Sequence, residues 1–272
     1  MQVDRDRARR AFERYVSAYD ASDPKIRLKL VHTWRVAALC EDIARAEGWD
    51  DAAVDLAWLA GVTHDLGRFE QVRQFGTFAD AMSVGHAELS ARLLFDEGLL
   101  AEFAALDDAE KGQLGREAVG RTGELAWLHD AVALHSAYRL PDDLDEKNRA
   151  LCDLLRDADK VDIFRVAQQN PISATYPFGE DELRKSGISD ACVAAFLEHH
   201  AILTSIKTES ADYVVGHMAL AFELVSERAV ELALAQGFLE QIMHLELERD
   251  DARRTFAALC DDLRGWLNAR TS

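Results

Sequence analysis

The sequence has little of what loops, sheets and disulfide frameworks need. Its 272 residues include only 4 prolines and 15 glycines, and the long stretches between them are rich in alanine, leucine, glutamate and arginine, which favour helices. The 4 cysteines are far apart, sit in apolar helical patterns and show no CxxC spacing. They are therefore predicted to be buried, reduced thiols rather than disulfides or a zinc cluster. These absences predict a mostly helical protein.

Positive charge and long apolar runs are also scarce. Lys and Arg number 31 against 49 Asp and Glu, a formal net charge of -18, which argues against nucleic-acid polymers and anionic membranes as partners. The N-terminal residues have no apolar stretch behind their charges, and no run approaches the ~18 apolar residues of a membrane helix. We therefore expect a cytoplasmic protein that does not bind membranes. A small phosphorylated substrate stays compatible with this charge, because ions in a pocket act at contact distance.

Helix start and stop signals divide the chain into three parts. The expected parts are an N-terminal helix (1–24), a central run of apolar helices (25–170) and a C-terminal helical section (171–272). Asp23 and Pro24 are typical of a helix cap and first helical residue, and 171–179 is the clearest linker. The C-terminal helices either pack on the central part or form a homodimer interface, and the sequence leaves both open.

His64 and Asp65 stand side by side at the predicted end of an apolar helix, Asp51 to Asp65. Neighbouring helix residues point about 100° apart, so the two side chains can share a target only where the helix ends. Gly67 is expected to allow that exit from helical geometry. An imidazole beside a carboxylate is a candidate metal site, and it needs further ligands from elsewhere in the chain.

Several other histidines lie on predicted helices. His32 shares an apolar row with Val36 and is, taken alone, more typical of a hydrogen-bonded core histidine. His86 opens another helix. His129 and His135 lie on one helix, both with apolar companions, and helical periodicity does not choose between them. The histidines after the linker are predicted to be core or partly exposed residues.

Two aspartates on the last central helix are predicted to differ. Asp159 shares its row with apolar residues such as Leu155 and Ile163, so its carboxylate should be buried and should need a cation or a proton. Asp157 shares its row with Lys160 and is predicted to lie on a solvated face with helical ion pairs.

In chain order, His32, His64, Asp65 and Asp159 give the pattern H…HD…D. This order resembles the HD-domain superfamily of metal-dependent phosphohydrolases. The segments that carry the resemblance, within about residues 25 to 170, are Lys29–Thr33, His64–Gln71, Ser83–His86, His135–Ser136 and Arg156–Phe164. The resemblance implies an all-α fold, an HD-domain helical bundle with a C-terminal helical extension.

The resemblance also implies a cofactor of one or two divalent transition-metal ions. The implied ligands are His32, His64, Asp65, His86, His135 and Asp159. Asp65 would bridge the two ions, and the resemblance selects His135 over His129. Mixed nitrogen and oxygen ligation suits Fe, Mn, Zn, Ni or Co better than Ca.

The implied activity is hydrolysis of a phosphomonoester or phosphodiester, nucleotides included, by a metal-activated water. Asp65 and Arg68 are the implied catalytic residues, and Arg68 is the best candidate to bind the phosphate or assist the leaving group. Lys29, Gln71 and Asp80 are weaker candidates for substrate binding. A regulatory or ligand-sensing HD module without turnover and di-iron oxygenase-type chemistry are the alternatives. The chain lacks the Gly-Tyr-Pro element of the cyclic-dinucleotide phosphodiesterases with this fold.

Overall fold

The computed structural model describes residues 1–80, 83–115, 120–172, 176 and 178–271. The chain forms two compact units, Met1–Asp159 and Lys160–Ser272, so the division falls within a helix. Residues 173–175 and 177 of the predicted linker lie outside the described part, as do 116–119 in the acidic stretch before residue 120. The predicted three-part division of the chain stays a prediction.

The first unit is built from helices and one short strand pair. Its helices are α1 (Arg5–Val16), α2 (Pro24–Ala46), α3 (Asp51–Thr63), α4 (Leu66–Phe75), α5 (His86–Ala91), α6 (Leu100–Phe103), α7 (Asp108–Lys111), α8 (Glu124–Leu134) and α9 (Glu146–Gln169). The last of these continues into the second unit. A π-helical segment, Arg92–Asp96, extends α5. The strands β1 (Gln2–Val3) and β2 (Ala104–Ala105) pair antiparallel, with Gln2 opposite Ala105.

Local capping explains where the central helices begin and end. The Asp23 carboxylate accepts a hydrogen bond from the Lys25 amide, and Pro24 is the first residue of α2, as predicted. Asp50 caps α3 in the same way through the Ala53 amide. Gly76 ends α4 with a left-handed φ of 65°, a conformation that glycine adopts without the steric cost of a Cβ.

Close helix packing surrounds the residues that follow α3. Helix α2 packs along α3, which also contacts α1 and α8, while α5 contacts both α4 and α8. A Cβ added at Gly61 would lie 2.6 Å from the Ala37 Cα, and one at Gly67 would lie 2.5 Å from the His86 carbonyl oxygen. The expected role of Gly67 is therefore wrong. Gly67 lies inside α4, and its missing side chain allows α4 to approach α5.

The second unit is also helical. After the end of α9 its described helices are α10 (Glu180–Lys185), α11 (Asp190–Phe196), α12 (Ser210–Ala219), α13 (Glu227–Gln236), α14 (Phe238–Ile242) and α15 (Asp250–Thr271), with 3-10 turns at Thr204–Ile206 and Leu220–Glu223. Helix α11 packs against α12 and α15. Gly237, with a φ of 70°, separates α13 from α14.

Among the described residues the regular secondary structure is helical apart from the β1–β2 pair, which confirms the all-α prediction. None of the described helices combines the length and apolar character that a membrane crossing requires. All 4 cysteines are buried free thiols that form no disulfide.

Candidate metal centre

The backbone leaves helical geometry at Asp65. His64 still has helical angles and its amide donates to the Ala60 carbonyl oxygen at 2.9 Å. Asp65 has φ -109° and ψ 16°, and α4 begins at the next residue, Leu66. This single break turns adjacent side chains toward one place, so that His64 Nε2 lies 3.4 Å from Asp65 Oδ2.

A first group of donor atoms surrounds this oxygen of Asp65. His32 comes from α2 and Asp159 from α9. His32 Nε2 lies 3.1 Å from Asp159 Oδ1 and 3.5 Å from Asp65 Oδ2. The Nε2 atoms of His32 and His64 are 3.4 Å apart. The structure therefore brings all four residues of the H…HD…D pattern together.

A second group lies on the other side of Asp65. His86 is the first residue of α5 and His135 directly follows α8. Their Nε2 atoms are 3.0 Å apart, and each lies 3.8 Å from Asp65 Oδ1. His129 lies elsewhere, with its Nδ1 2.9 Å from the Asp130 carboxylate. Of the two histidines that periodicity could not separate, it is His135 that joins the cluster.

Main-chain carbonyls fix the protonation of two cluster histidines. His64 Nδ1 lies 2.8 Å from the Gly61 carbonyl oxygen, and His135 Nδ1 lies 2.8 Å from that of Val132. Because a carbonyl oxygen only accepts hydrogen bonds, each Nδ1 must carry the proton. The Nε2 of each ring then presents a lone pair to the cluster.

Burial and charge favour deprotonated ligands. Burial raises the pKa of Asp65, but the nearby Lys29 ammonium and the histidines outweigh it and hold this pKa well below its usual value. Burial lowers the pKa of His135 to about 3, and burial together with the Arg68 charge lowers the pKa of His86. Burial raises the pKa of Asp159, but the nearby His32 and the other cluster histidines outweigh it and lower this pKa as well.

This donor set fits divalent transition-metal ions. Asp65 Oδ1 is buried, and no hydrogen-bond donor reaches it from the described residues. The Nε2 atoms of His86 and His135, both neutral, would repel each other at 3.0 Å without a cation between their lone pairs. Two ligand atoms about 2.1 Å from one ion lie about 3 to 3.5 Å apart. Three-residue sets that could hold an ion are His32, His64 and Asp159, and His64, Asp65 and His135.

Two cationic side chains border the cluster. Lys29 Nζ donates to Asp65 Oδ2 at 2.5 Å. Arg68 Nε lies 3.8 Å from Asp65 Oδ1 and has no hydrogen-bond partner among the described residues. Both cations lie over the Phe78 ring, each 5.5 Å from its centroid. Lys29 and Arg68 are thus placed where positive charge can meet an anionic ligand of the cluster.

Gln71 and Asp80 form a support network that the sequence did not indicate. Gln71 is fully buried, and its amide nitrogen donates to Asp80 Oδ1 and to the Val84 carbonyl oxygen. Asp80 Oδ2 in turn lies 2.7 Å from His86 Nδ1. No helical spacing relates Asp80 to His86, which lie six residues apart. Their expected roles in substrate binding stay predictions.

The prediction for Asp157 is wrong. Its side chain is fully buried and Lys160 is only 6% exposed, because α9 is buried on nearly all of its faces around this point. Asp159 is largely buried, as expected, with 14% of its side chain exposed. The row of α9 that carries Asp157 and Lys160 is therefore buried here and does not face solvent.

A family model described as the HD domain matches residues 30–165, half of the chain. No curated protein and no solved structure matches. HD domains bind divalent metals, and the family consists mostly of metal-dependent phosphohydrolases, with some members that are not enzymes. The match thus suggests a metal-dependent, hydrolase-type function.

Proposed function

Because the chain belongs to the HD-domain family, we propose that it hydrolyses a small phosphoester, a phosphomonoester or phosphodiester, with the help of divalent metal ions. The observation that carries this proposal is the position of Asp65. Its Oδ2 lies 3.4 Å from His64 Nε2, while its Oδ1 lies 3.8 Å from both His86 Nε2 and His135 Nε2. One carboxylate between two groups of histidines supports a two-ion site.

Six residues would hold the ions in this proposal. They are His32, His64, Asp65 and Asp159 for the first ion, and Asp65, His86 and His135 for the second. When bound, divalent ions lower the pKa of water and offset negative charge on phosphoryl oxygens. Neutral histidines in this set leave more of the ions' positive charge available to a phosphate than carboxylates would.

The cations beside Asp65 would orient the substrate. Lys29 Nζ and Arg68 Nε both lie within 4 Å of the Asp65 carboxylate, so a phosphate bound at the cluster would lie within reach of both. The Arg68 Nε–H has no acceptor among the described residues, and a phosphoryl oxygen would supply one. The net charge of -18 supports a small substrate rather than a nucleic-acid polymer.

The test is metal analysis followed by turnover. Protein purified without chelators, and reloaded with Mn, Fe, Zn, Ni or Co in turn, is compared with the Asp65→Ala variant. We expect two equivalents of metal in the natural protein, a large loss in the variant, and hydrolysis of a member of a phosphoester panel by the loaded protein only. Arg68→Met should keep the metal and lose most of the turnover.

Other outcomes would contradict the proposal in different ways. Protein that binds no metal after every reloading would exclude the mechanism. Bound metal with no turnover of any phosphoester would favour a regulatory or ligand-sensing module. Oxygen consumption by the iron-loaded protein would favour oxygenase-type chemistry.

A further inference from the structure

The carboxylate of Asp80 connects two parts of the candidate site. Its Oδ2 lies 2.7 Å from His86 Nδ1. Its Oδ1 accepts hydrogen bonds from Arg68 Nη1 at 2.9 Å and from Gln71 Nε2 at 2.8 Å. Asp80 therefore has one oxygen committed to the imidazole of His86 and the other committed to two donors.

We propose that Asp80 is a positioning residue that keeps the proton of His86 on Nδ1 and so leaves the Nε2 lone pair free for a metal ion shared with His135. This inference rests on the proposed function, because it concerns the second ion of the same site. It adds a dependence of that ion on the Asp80 side chain, which lies outside α4 and α5.

His86 needs this help more than His64 and His135 do. The rings of His64 and His135 are held by carbonyl oxygens of their own helices, three residues earlier in the chain. His86 is the first residue of α5, so no preceding turn offers it a carbonyl oxygen. A side chain from outside the helix has to accept the Nδ1 proton, and Asp80 does so. Carboxylate–histidine–metal arrangements of this kind orient the ring and raise its basicity.

The same contacts predict how an asparagine at this position would behave. The donors Arg68 Nη1 and Gln71 Nε2 would hold the amide oxygen of Asp80→Asn on their side. The amide nitrogen would then face His86 Nδ1 and donate to it. His86 would have to carry its proton on Nε2, the atom that faces His135. In that tautomer Nε2 has no lone pair to offer to a metal ion.

Asp80→Ala removes the support without imposing the wrong tautomer. Water can then accept the Nδ1 proton, so the alanine variant should bind the second ion better than the asparagine variant does. A purely structural role of Asp80 predicts the opposite order, because asparagine preserves the shape of the side chain. The order of the two variants therefore separates positioning from packing.

The experiment measures metal equivalents and histidine tautomers in the whole 272-residue chain. Mn(II) or Co(II) titrations are run on the natural protein, Asp80→Asn and Asp80→Ala, and ¹⁵N NMR of the metal-free proteins reports which nitrogen of His86 carries the proton. Asp130→Asn is the matched control, because Asp130 makes a similar 2.9 Å contact with Nδ1 of His129 outside the cluster.

We expect two equivalents in the natural protein and in Asp130→Asn. Affinity for the second ion should fall about 10- to 100-fold in Asp80→Ala and further in Asp80→Asn, with the first ion retained in both and a proton on Nε2 of His86 in Asp80→Asn only. Equal second-ion binding in all the proteins, or stronger binding by Asp80→Asn than by Asp80→Ala, would overturn the inference alone. Absence of metal from the natural protein would overturn the proposed function with it.

Discussion

Lys29 engages an oxygen of Asp65 that the first metal ion would use. Its ammonium donates to Asp65 Oδ2 at 2.5 Å. A metal ion bound to the same carboxylate would be repelled by this positive charge. We expect Lys29→Met to bind Mn(II) about tenfold more tightly, a difference of ~1.4 kcal/mol. The same variant should be inhibited less by inorganic phosphate, because the proposed function places Lys29 within reach of the bound phosphate.

The measurements are an Mn(II) titration and the inhibition constant for phosphate in the turnover assay. Lys25→Met is a matched control on the same helix, because Lys25 Nζ donates to the Gly76 carbonyl oxygen instead. Unchanged Mn(II) affinity in Lys29→Met would show that the ammonium leaves Asp65 when the ion binds.

Single residues also mark how far the sequence could predict the site. The His64–Asp65 pair and the largely buried Asp159 followed from helix ends and apolar rows. His135 needed the family resemblance, because two histidines on one helix had equally apolar neighbours. Asp157 was predicted wrongly, since a row that carries charges was assumed to face solvent, and α9 is buried on that row as well.

At the scale of elements, two glycines set how closely neighbouring helices approach. A Cβ at Gly61 would lie 2.6 Å from the Ala37 Cα of α2, and one at Gly67 would lie 2.5 Å from the His86 carbonyl oxygen of α5. Gly61→Ala and Gly67→Ala should each lower the free energy of unfolding by about 1 to 3 kcal/mol, because main-chain atoms must move. Urea denaturation followed by circular dichroism measures this.

Gly85→Ala is the control for this prediction. A Cβ there would meet nothing within 4 Å, and its φ of -59° suits alanine. Its free energy of unfolding should stay within about 0.5 kcal/mol of the natural protein. A Gly67→Ala protein as stable as Gly85→Ala would contradict this prediction, because α4 and α5 could then move apart slightly without a loss of stability.

Helix starts were more predictable than helix ends and interruptions. Asp23 and Pro24 gave the start of α2 because capping is a local interaction. The segment directly after Asp65 forms α4, a helix of 10 residues. Its stability comes from tertiary burial of residues such as Leu66 and Phe69, which local propensity does not measure. Two-residue strands such as β1 and β2 are too short to produce the alternation of apolar and polar residues by which a strand is recognised in a sequence.

For the whole molecule, the helix that supplies Asp159 continues directly into the second unit at Lys160. The sequence predicted a helical section after the central part, and the structure has one. Whether the C-terminal helices form a homodimer stays a prediction, because apolar rows look alike whether they are buried within one chain or between two.

The second unit carries its own pH dependence through His217. Tyr176 donates a hydrogen bond to His217 Nδ1 at 2.6 Å, and burial together with the Lys207 charge lowers the pKa of His217 to about 3. Burial raises the pKa of Tyr176, so this hydroxyl keeps its proton. In the unfolded chain His217 titrates near its ordinary pKa of about 6.5. The unfolded state therefore binds the extra proton below that pH, and stability falls as the pH falls from about 6.5 toward 3.

We expect His217 to lower the free energy of unfolding by about 2 kcal/mol between pH 7 and pH 5. This value follows because pH 5 lies ~1.5 units below the ordinary pKa of histidine, and each unit corresponds to ~1.4 kcal/mol. His217→Gln can still accept the Tyr176 hydrogen bond and does not titrate. Its free energy of unfolding should therefore fall by about 2 kcal/mol less than that of the natural protein between pH 7 and pH 5. Urea denaturation of both proteins at pH 7 and pH 5 gives the difference, and hydrogen exchange in α12 assigns it to the second unit. An equal loss of stability in the two proteins would mean that His217 takes up its proton in the folded state, with the Tyr176 contact broken and solvent admitted to the ring.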